Sequence, residues 1–185
     1  MIRLILFDLD GVLVSAKDIH YEALNRALGG QYAITREEHH GRYDGLTTRT
    51  KLEMLTAEKG LPADQHEVVW QRKQAITLEL FSTEIQRNDG LCEMFASLKR
   101  DGYLIGCCTN SIRRSALTAL AKIGVIEYCD IILSNDDVKN PKPHPEIYWK
   151  AMSMMGCLPD ETLVVEDNPH GLLSAARSRA QVWRV

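Results

Sequence analysis

Two aspartates stand one residue apart at the end of an apolar run near the start of the chain. The run Ile2–Phe7 has the composition of a buried strand, and Asp8, Leu9, Asp10 and Gly11 follow it directly. Side chains at alternate positions of an extended segment point the same way, so we expect the carboxyl groups of Asp8 and Asp10 to face one space. Gly11 lets the chain turn away from the strand. The spacing therefore places two carboxyl groups side by side, where one can attack and the other can transfer a proton.

Short polar residues also follow three later strand-like runs. They are Thr109, Asn110 and Ser111 after Tyr103–Cys108, then Asp136, Asp137, Lys139 and Lys142 after Asp130–Leu133, then Glu166, Asp167 and Asn168 after Thr162–Val165. In open α/β sheets, ligands bind beyond the carboxyl ends of the strands. If the strands are parallel, all of these clusters converge on one edge of the sheet.

The converging residue types indicate a chemistry. Clustered carboxylates repel one another unless a cation lies among them, and a few hard oxygen ligands suit Mg²⁺. A lysine and a hydroxyl group suit phosphate oxygens. An aspartate can act as a nucleophile in phosphoryl transfer and form an aspartyl-phosphate. The residues therefore predict phosphoryl transfer assisted by Mg²⁺.

The elements that must position these residues follow an alternating pattern. The strand-like runs, with a fifth at Gln181–Val185, are nearly continuous in apolar residues, which is typical of strands buried in a parallel sheet. Helical patterns separate them, so we predict an α/β fold. Residues 15–88 show helical patterns only. We therefore predict a core of residues 1–14 and 89–185, with a helical cap of residues 15–88 inserted after the first strand.

The composition of the whole chain excludes several classes of protein. The 185 residues are 45% hydrophobic and 25% charged, with a formal net charge of −3, as in ordinary globular proteins. No basic patch stands out, and no uncharged apolar stretch approaches the ~20 residues that span a bilayer, so we expect neither nucleic acid nor membrane as a partner. The N-terminus lacks the layout of a signal peptide. Five cysteines without a C-x-x-C pair favour free thiols and a cytoplasmic location.

Four motifs carry a resemblance to a known family. They are FDLDGVL (7–13), CCTNS (107–111), KNPKPHPEIY (139–148) and LVVEDNPHG (163–171). In this order, each after a strand, they resemble the haloacid dehalogenase superfamily, in the branch of small phosphatases and β-phosphoglucomutase-like proteins. The resemblance covers nearly the whole chain. It implies a Rossmann-like parallel sheet core with helices on both faces and a small all-helical cap.

The resemblance also implies a role for each motif residue. Asp8 corresponds to the nucleophile and Asp10 to the general acid and base, while Thr109 and Asn110 bind the transferring phosphoryl group. Lys142 neutralises charge on the phosphate and on the nucleophile. Mg²⁺ would be held by Asp8, by the backbone carbonyl of Asp10 and by the acidic pair Glu166 and Asp167, which also orients the lysine.

Several cap residues receive separate interpretations. His20 lies where relatives often carry a histidine at the mouth of the active site, but a solvated helix histidine is an equal alternative. Arg49 lies in a loop where relatives can hold the distal group of the substrate, which favours a binding role. We expect Lys73 to be a solvated charge, and His39 and His40, which are adjacent in sequence, to be surface residues.

We predict from these features a Mg²⁺-dependent phosphatase acting on a small phosphorylated metabolite, such as a sugar phosphate, as a monomer or weak dimer. A phosphosugar mutase of the β-phosphoglucomutase type shares all four motifs and is the main alternative. Ser15, at a position where many relatives have an acidic residue, is mildly against a mutase. A non-catalytic relative that binds a phosphorylated ligand is a third hypothesis, which the complete set of motif residues disfavours.

Overall fold

Five parallel strands form one sheet in the computed structural model, which describes residues 1–185. The strands are β1 (Leu4–Phe7), β2 (Leu104–Cys108), β3 (Ile131–Leu133), β4 (Thr162–Glu166) and β5 (Gln181–Arg184), in the order β3-β2-β1-β4-β5. Phe7, the last residue of β1, pairs with Cys107 on one side and with Val165 on the other. The carboxyl ends of the three central strands are therefore level with one another.

Eight helices accompany the sheet. They are α1 (Lys17–Leu28), α2 (Arg36–Glu38), α3 (Thr48–Lys59), α4 (His66–Glu84), α5 (Asp89–Arg100), α6 (Arg113–Ile123), α7 (Glu146–Met155) and α8 (Pro169–Ser178). The first four follow β1 with no strand between them, and a five-residue π-helix, His39–Tyr43, continues α2. None of the helices has the length and apolar character that crossing a bilayer requires.

Apolar side chains form a core on each face of the sheet and a third cluster in the cap. One face packs residues such as Phe7 and Ile105 against Phe95, and the other packs Leu6 against Tyr148. The cap has its own cluster of nine buried residues, which includes Tyr43 and is made by α1, α3, α4 and the segments between them. The predicted fold class, a parallel α/β sheet with helices on both faces and a helical cap after the first strand, is confirmed.

The last strand departs from the expected burial. All four residues of β5 are exposed, including Trp183, whose exposed fraction is 60%. The strand lies at the edge of the sheet and pairs only with β4. The prediction of a strand buried on both faces was therefore wrong for β5, because its side chains lie outside the apolar clusters that cover the two faces of the sheet.

Candidate active site

Residues from all four polar clusters that follow the strands meet in one pocket, although Asp136, Asp137 and Lys139 of the third cluster lie outside its lining. The pocket lies beyond the carboxyl ends of the strands, next to β1 and β4, where the strand order reverses and ligands bind in open α/β sheets. The core lines it with Asp8, Asp10, Thr109, Asn110, Ser111, Asn135, Lys142, Glu166 and Asn168. The cap lines it with His20, Asp44, Thr48, Lys51, Lys73 and Gln74.

Lys142 connects the clusters that follow three different strands. Its ammonium group donates hydrogen bonds to Oδ1 of Asp8 over 2.8 Å, to Oε1 of Glu166 over 2.6 Å and to the backbone carbonyl of Cys108 over 2.7 Å. The hydroxyl of Tyr148 donates to the same oxygen of Glu166 over 2.9 Å. Lys142 is only 4% exposed, so these contacts fix its ammonium group beside Asp8.

Burial and the charges of neighbouring groups both shift the pKa values of Asp8 and Lys142. Burial raises the pKa of Asp8 well above its ordinary value, Glu166 adds to the rise and Lys142 opposes it. Burial by itself lowers the pKa of Lys142, but Asp8, Tyr148 and Glu166 outweigh it and raise that pKa. Lys142 therefore stays protonated. A further cation beside Asp8 would favour the carboxylate form that a nucleophile requires.

Three carboxyl groups of the core suit a divalent cation. One oxygen each of Asp8, Glu166 and Asp167 lie within 4.8 Å of one another. Oδ1 of Asp167 is buried and has no hydrogen-bond partner, while Oδ2 lies 2.8 Å from the ammonium group of Lys17. Gly11 packs so closely against Asp167 that a Cβ atom would not fit there. This set of hard oxygen ligands fits Mg²⁺.

Asp10 lies between the core and the cap. Its Oδ2 accepts a hydrogen bond from the hydroxyl of Ser111 over 2.8 Å, and its Oδ1 lies 3.1 Å from Nε2 of His20, off the alignment of a hydrogen bond. Burial raises the pKa of Asp10, but His20 and Ser111 outweigh it and bring the pKa to about 2. Asp10 is therefore a carboxylate in the resting site, with one oxygen free to accept a proton.

Thr109 and Asn110 follow β2 and are held rigidly. Thr109 is 1% exposed, and its hydroxyl accepts a hydrogen bond from the backbone amide of Ser111 over 3.0 Å. The side chain of Asn110 accepts from the amide of Lys142 over 3.0 Å and donates to its carbonyl over 3.0 Å. The side-chain amide nitrogen of Asn110 also donates to the backbone carbonyl of Gly45 in the cap over 2.8 Å. Asn110 thus holds the Lys142 loop and connects the core to the cap.

His20 and Lys73 face the pocket together. His20 is 7% exposed, so the alternative of a solvated helix histidine is wrong. Lys73 is 5% exposed, and its ammonium group lies 3.2 Å from Nδ1 of His20, so the expectation of a solvated charge was also wrong. The spacing of Val69, Lys73 and Thr77 places all three on the buried face of α4. That spacing was the signal in the sequence that Lys73 points inward.

His39 and Arg49 lie outside the pocket lining. His39 is fully buried, which corrects the expectation of a surface residue, whereas His40 is exposed. Burial lowers the pKa of His39 to about 2 and keeps it neutral. The side chain of Arg49 is 65% exposed and lies over the ring of Trp70, with Glu67 at 3.6 Å. The structure directs this side chain away from the pocket and so gives no support to a binding role for Arg49, which stays a prediction.

Sequence analysis did not identify Lys17 and Lys51 as residues of the site. The ammonium group of Lys17 pairs with Asp167 and also lies 3.5 Å from Oδ2 of Asp44. Lys51 is 5% exposed and lines the pocket. Thr48, Lys51 and Leu55 recur at helical spacing on α3, so a signal for the burial of Lys51 was present in the sequence.

Comparisons with known proteins give the family. A family model described as haloacid dehalogenase-like hydrolase matches residues 5–185. The phosphorylated carbohydrates phosphatase of Thermotoga maritima is 28% identical over 171 residues, which cover 92% of this chain and 79% of that protein. Pyrophosphatase PpaX of Bacillus cereus is 26% identical over 182 residues, which cover 93% of this chain and 77% of that protein. The crystal structure of β-phosphoglucomutase from Clostridium difficile matches with a TM-score of 0.88 at 22% identity, covering 98% of this chain and 83% of that chain.

These matches agree with the site and with the fold. The family model spans almost the entire sequence and includes all four motifs in full. The resemblance and the enzyme class expected from the sequence, a hydrolase of phosphoric esters, are confirmed. The chain belongs to the haloacid dehalogenase-like hydrolase family.

Proposed function

We propose that this chain is a Mg²⁺-dependent phosphatase that hydrolyses a small phosphorylated metabolite, such as a sugar phosphate, through an aspartyl-phosphate on Asp8. The main support is the buried contact between Asp8 and Lys142, 2.8 Å long, in a pocket that also holds Thr109 and Asp10. A buried carboxylate that keeps a protonated lysine at its side is arranged to receive a phosphoryl group, because the lysine balances the charge that the phosphoryl oxygens bring.

The reaction has two steps at the phosphorus atom. In the first step a carboxylate oxygen of Asp8 bonds to phosphorus, the bond from phosphorus to the ester oxygen breaks, and Asp10 gives that oxygen a proton. In the second step a water molecule attacks the same phosphorus atom, Asp10 takes its proton, and the bond to Asp8 breaks. Inorganic phosphate leaves with Asp8 again a carboxylate and Asp10 again protonated, and Asp10 then releases its proton to solvent. Lys142 and Thr109 contact the phosphoryl oxygens throughout.

Asp10 can serve in both steps because the charge around it changes during the reaction. The pKa of Asp10 is about 2 in the resting site, so it is ready to accept the proton of the attacking water. A phosphate dianion next to Asp10 raises its pKa, because a like charge favours the protonated form. The bound substrate therefore favours uptake of a proton from solvent by Asp10, which gives the protonated form that the first step needs.

Mg²⁺, when bound, would be held by Asp8, Asp167, Glu166 and the backbone carbonyl of Asp10, and would supply positive charge to the phosphoryl oxygens. The buried and unpartnered Oδ1 of Asp167 supports this assignment. Glu166 also fixes Lys142 through its 2.6 Å hydrogen bond, so its carboxylate stabilises both cations.

The test of this proposal is release of inorganic phosphate from a panel of sugar phosphates, nucleotides and an aryl phosphate. We expect release that depends on Mg²⁺ and stops when a chelator is added. The Asp8→Asn variant should release phosphate only at the background rate while it keeps the circular dichroism spectrum of the wild type. The matched control is Asp64→Asn, which removes an exposed carboxylate of the cap.

Each alternative gives a different outcome. An isomerised sugar phosphate formed without free phosphate would show a mutase and contradict the phosphatase proposal. Full activity of Asp8→Asn would contradict the aspartyl-phosphate mechanism. If the folded wild type released no phosphate from any substrate and formed no isomer, the chain would be a binding protein and the proposal would be wrong.

A further inference from the structure

One histidine of the cap is buried with neither ring nitrogen in a hydrogen bond to another protein group. His39 is fully buried, and both its Nδ1 and its Nε2 lack a protein partner. A neutral imidazole has one N–H donor and one acceptor nitrogen, so two polar atoms are enclosed here without protein contacts to match. Such atoms are uncommon in folded proteins, and the position of this ring therefore needs a reason.

The groups packed around His39 are aromatic or basic. The rings of Tyr21 on α1 and of His40 stand edge-on to it, each with its centroid 5.8 Å away. The titratable groups that act most strongly on His39 are Lys51 of α3, His20 of α1, its neighbour His40 and Lys73 of α4. A proton on His39 would therefore add a positive charge to a set of groups that already carries positive charge.

The carboxylates of this part of the cap are each paired with another basic residue. Glu38 pairs with Lys59, Asp44 with Lys17 and Asp18 with Arg36. None of them contacts a ring nitrogen of His39, so a protonated ring would be an enclosed charge without a counter-ion. Because such a charge is costly in a protein interior, the buried position of His39 is compatible only with the neutral ring.

His39 begins the segment that connects the cap to the core. It is the first residue of the π-helix, and its carbonyl accepts a hydrogen bond from the backbone amide of Asp44 over 2.8 Å. The side chain of Asp44 accepts from Asn168, and the carbonyl of Gly45 accepts from Asn110. A movement that brings His39 into water therefore also displaces the two residues whose hydrogen bonds hold the cap across the pocket.

We propose that His39 is an acid-sensitive lock on the cap. When its ring takes up a proton from solvent, the segment of residues 39–45 leaves its buried position and the hydrogen bonds from the core to Asp44 and Gly45 break. The pocket then opens while the sheet stays folded. This inference goes beyond the proposed function, because it concerns the closure of the cap and is the same for any molecule that the pocket binds.

The pH range of the lock follows from the two environments of His39. Burial, and then the charges of Lys51 and of the nearby histidines, lower the pKa of His39 from 6.5 to about 2 in the closed cap, whereas an opened segment restores the ordinary value. The closed form is therefore fully favoured above pH 6.5 and loses stability as the pH falls below it. Since the open form binds one more proton, the equilibrium for opening should rise about 25-fold between pH 7 and pH 5.

Hydrogen exchange measured by mass spectrometry would follow this opening without any substrate. After correction for the intrinsic effect of pH on exchange, we expect the amides of residues 39–45 to show an opening equilibrium about 25-fold higher at pH 5 than at pH 7. The amides of β1 and β2 should change little over the same range. NMR of the His39 ring should show a neutral imidazole in the closed protein at both pH values, since its pKa there is about 2.

Variants assign the response to this one ring. His39→Phe and His39→Gln cannot take up the proton, so the change in opening between pH 7 and pH 5 should be at least about fivefold smaller than in the wild type. The matched control is His40→Gln, which removes the exposed histidine next to His39 and should keep the wild-type response. Circular dichroism at pH 7 would show that each variant is folded.

Several results would overturn the lock. They are an opening equilibrium of residues 39–45 that does not change with pH in the wild type, an equal loss of protection in the sheet, an unchanged response in both His39 variants, and a protonated His39 ring in protein whose cap amides stay protected. The wild-type measurements need no variant, so they decide the question even if both substitutions destabilise the cap. None of these results depends on phosphate release, so the lock and the proposed phosphatase are tested separately.

Discussion

The ammonium group of Lys142 donates a hydrogen bond to Oδ1 of Asp8, 134 residues away in sequence, over 2.8 Å. Lys142 lies in the loop before α7, and Asp8 follows β1, so the sheet brings together two segments that the chain separates widely. Both side chains are less than a tenth exposed. The contact therefore depends on the folded core, and it should respond to substitution in both stability and activity.

Lys142→Met should strongly reduce both activity and stability. The substitution leaves Asp8 and Glu166 buried without their counter-ion, and breaking a buried ion pair in this way costs about 3–5 kcal/mol. Urea unfolding would measure the loss, and phosphate release would measure activity. The control is Lys139→Met, an exposed lysine of the same loop, which should match the wild type in both assays. A Lys142→Met protein of wild-type stability would show that the ion pair does not stabilise the core.

Mg²⁺ should stabilise the folded protein through Asp167. A cation that binds the native state alone raises the free energy of unfolding, by about 2.7 kcal/mol at a concentration 100 times its Kd. We expect the Tm of the wild type to rise as Mg²⁺ is added and the Tm of Asp167→Asn to rise much less. The control is Asp101→Asn, which changes an exposed aspartate that follows α5 and lies outside the pocket lining. This variant should keep the wild-type shift in Tm. An equal shift in Asp167→Asn would place the cation elsewhere.

Lys17 should weaken Mg²⁺ binding, because its ammonium group lies 2.8 Å from Oδ2 of Asp167 and competes for that carboxylate. A partly exposed ion pair contributes about 0.2–1 kcal/mol, so Lys17→Met should lower the Kd for Mg²⁺ by up to about fivefold. Calorimetric titration with Mg²⁺ would measure the change. Lys99→Met removes a comparable ion pair, to Asp130, and serves as the control. A higher Kd in Lys17→Met would instead mean that Lys17 holds Asp167 in the geometry that the cation needs.

Lys51→Met should stabilise the fold at neutral pH. Burial lowers the pKa of Lys51 from 10.5 to about 8, so the charged form is disfavoured in the folded state. At 1.36 kcal/mol for each pH unit, the charged side chain costs about 3 kcal/mol of stability. The cost is fully present below the folded pKa of about 8 and disappears as the pH rises towards 10.5, the unfolded value.

Urea unfolding at pH 7 and at pH 10 would measure this dependence. We expect the stability advantage of Lys51→Met over the wild type to be large at pH 7 and smaller at pH 10. Arg72→Met, which changes an exposed residue, should show no such advantage at either pH. If Lys51→Met were less stable than the wild type at pH 7, the burial of this ammonium group would not be a cost to the fold.

The sequence predicts the core side of the pocket well, because the ends of the strands determine which residues line it. Asp8, Thr109 and Glu166 each stand at or just after the end of a strand, and parallel strands bring such residues to one edge. Lys142 follows the third strand-like run, which places it at the same edge, and the motif resemblance adds its role beside Asp8. The fold class follows from the same alternation of strands and helices.

The cap side is harder to predict, because the orientation of a helix depends on how the cap packs onto the core. Arg49 and Thr48 are neighbours in sequence, yet the rotation of about 100° between adjacent helical residues places Thr48 in the pocket and Arg49 in solvent. Lys51 and Lys73 look like ordinary surface lysines from their type alone. Their helical spacing with apolar neighbours shows that they are buried, but it does not show that they face a pocket.

Two hydrogen bonds connect the cap to the core across the pocket. Asn110 donates to the carbonyl of Gly45 over 2.8 Å and Asn168 donates to Asp44 over 3.1 Å, so the cap lies directly across the mouth of the site. A phosphate group on the surface of a folded protein or a polymer carries a large body with it, which the cap would keep out of the pocket. We therefore expect the size of the leaving group to select among phosphate esters before its charge does, and phosphorylated macromolecules to be poor substrates beside free metabolites.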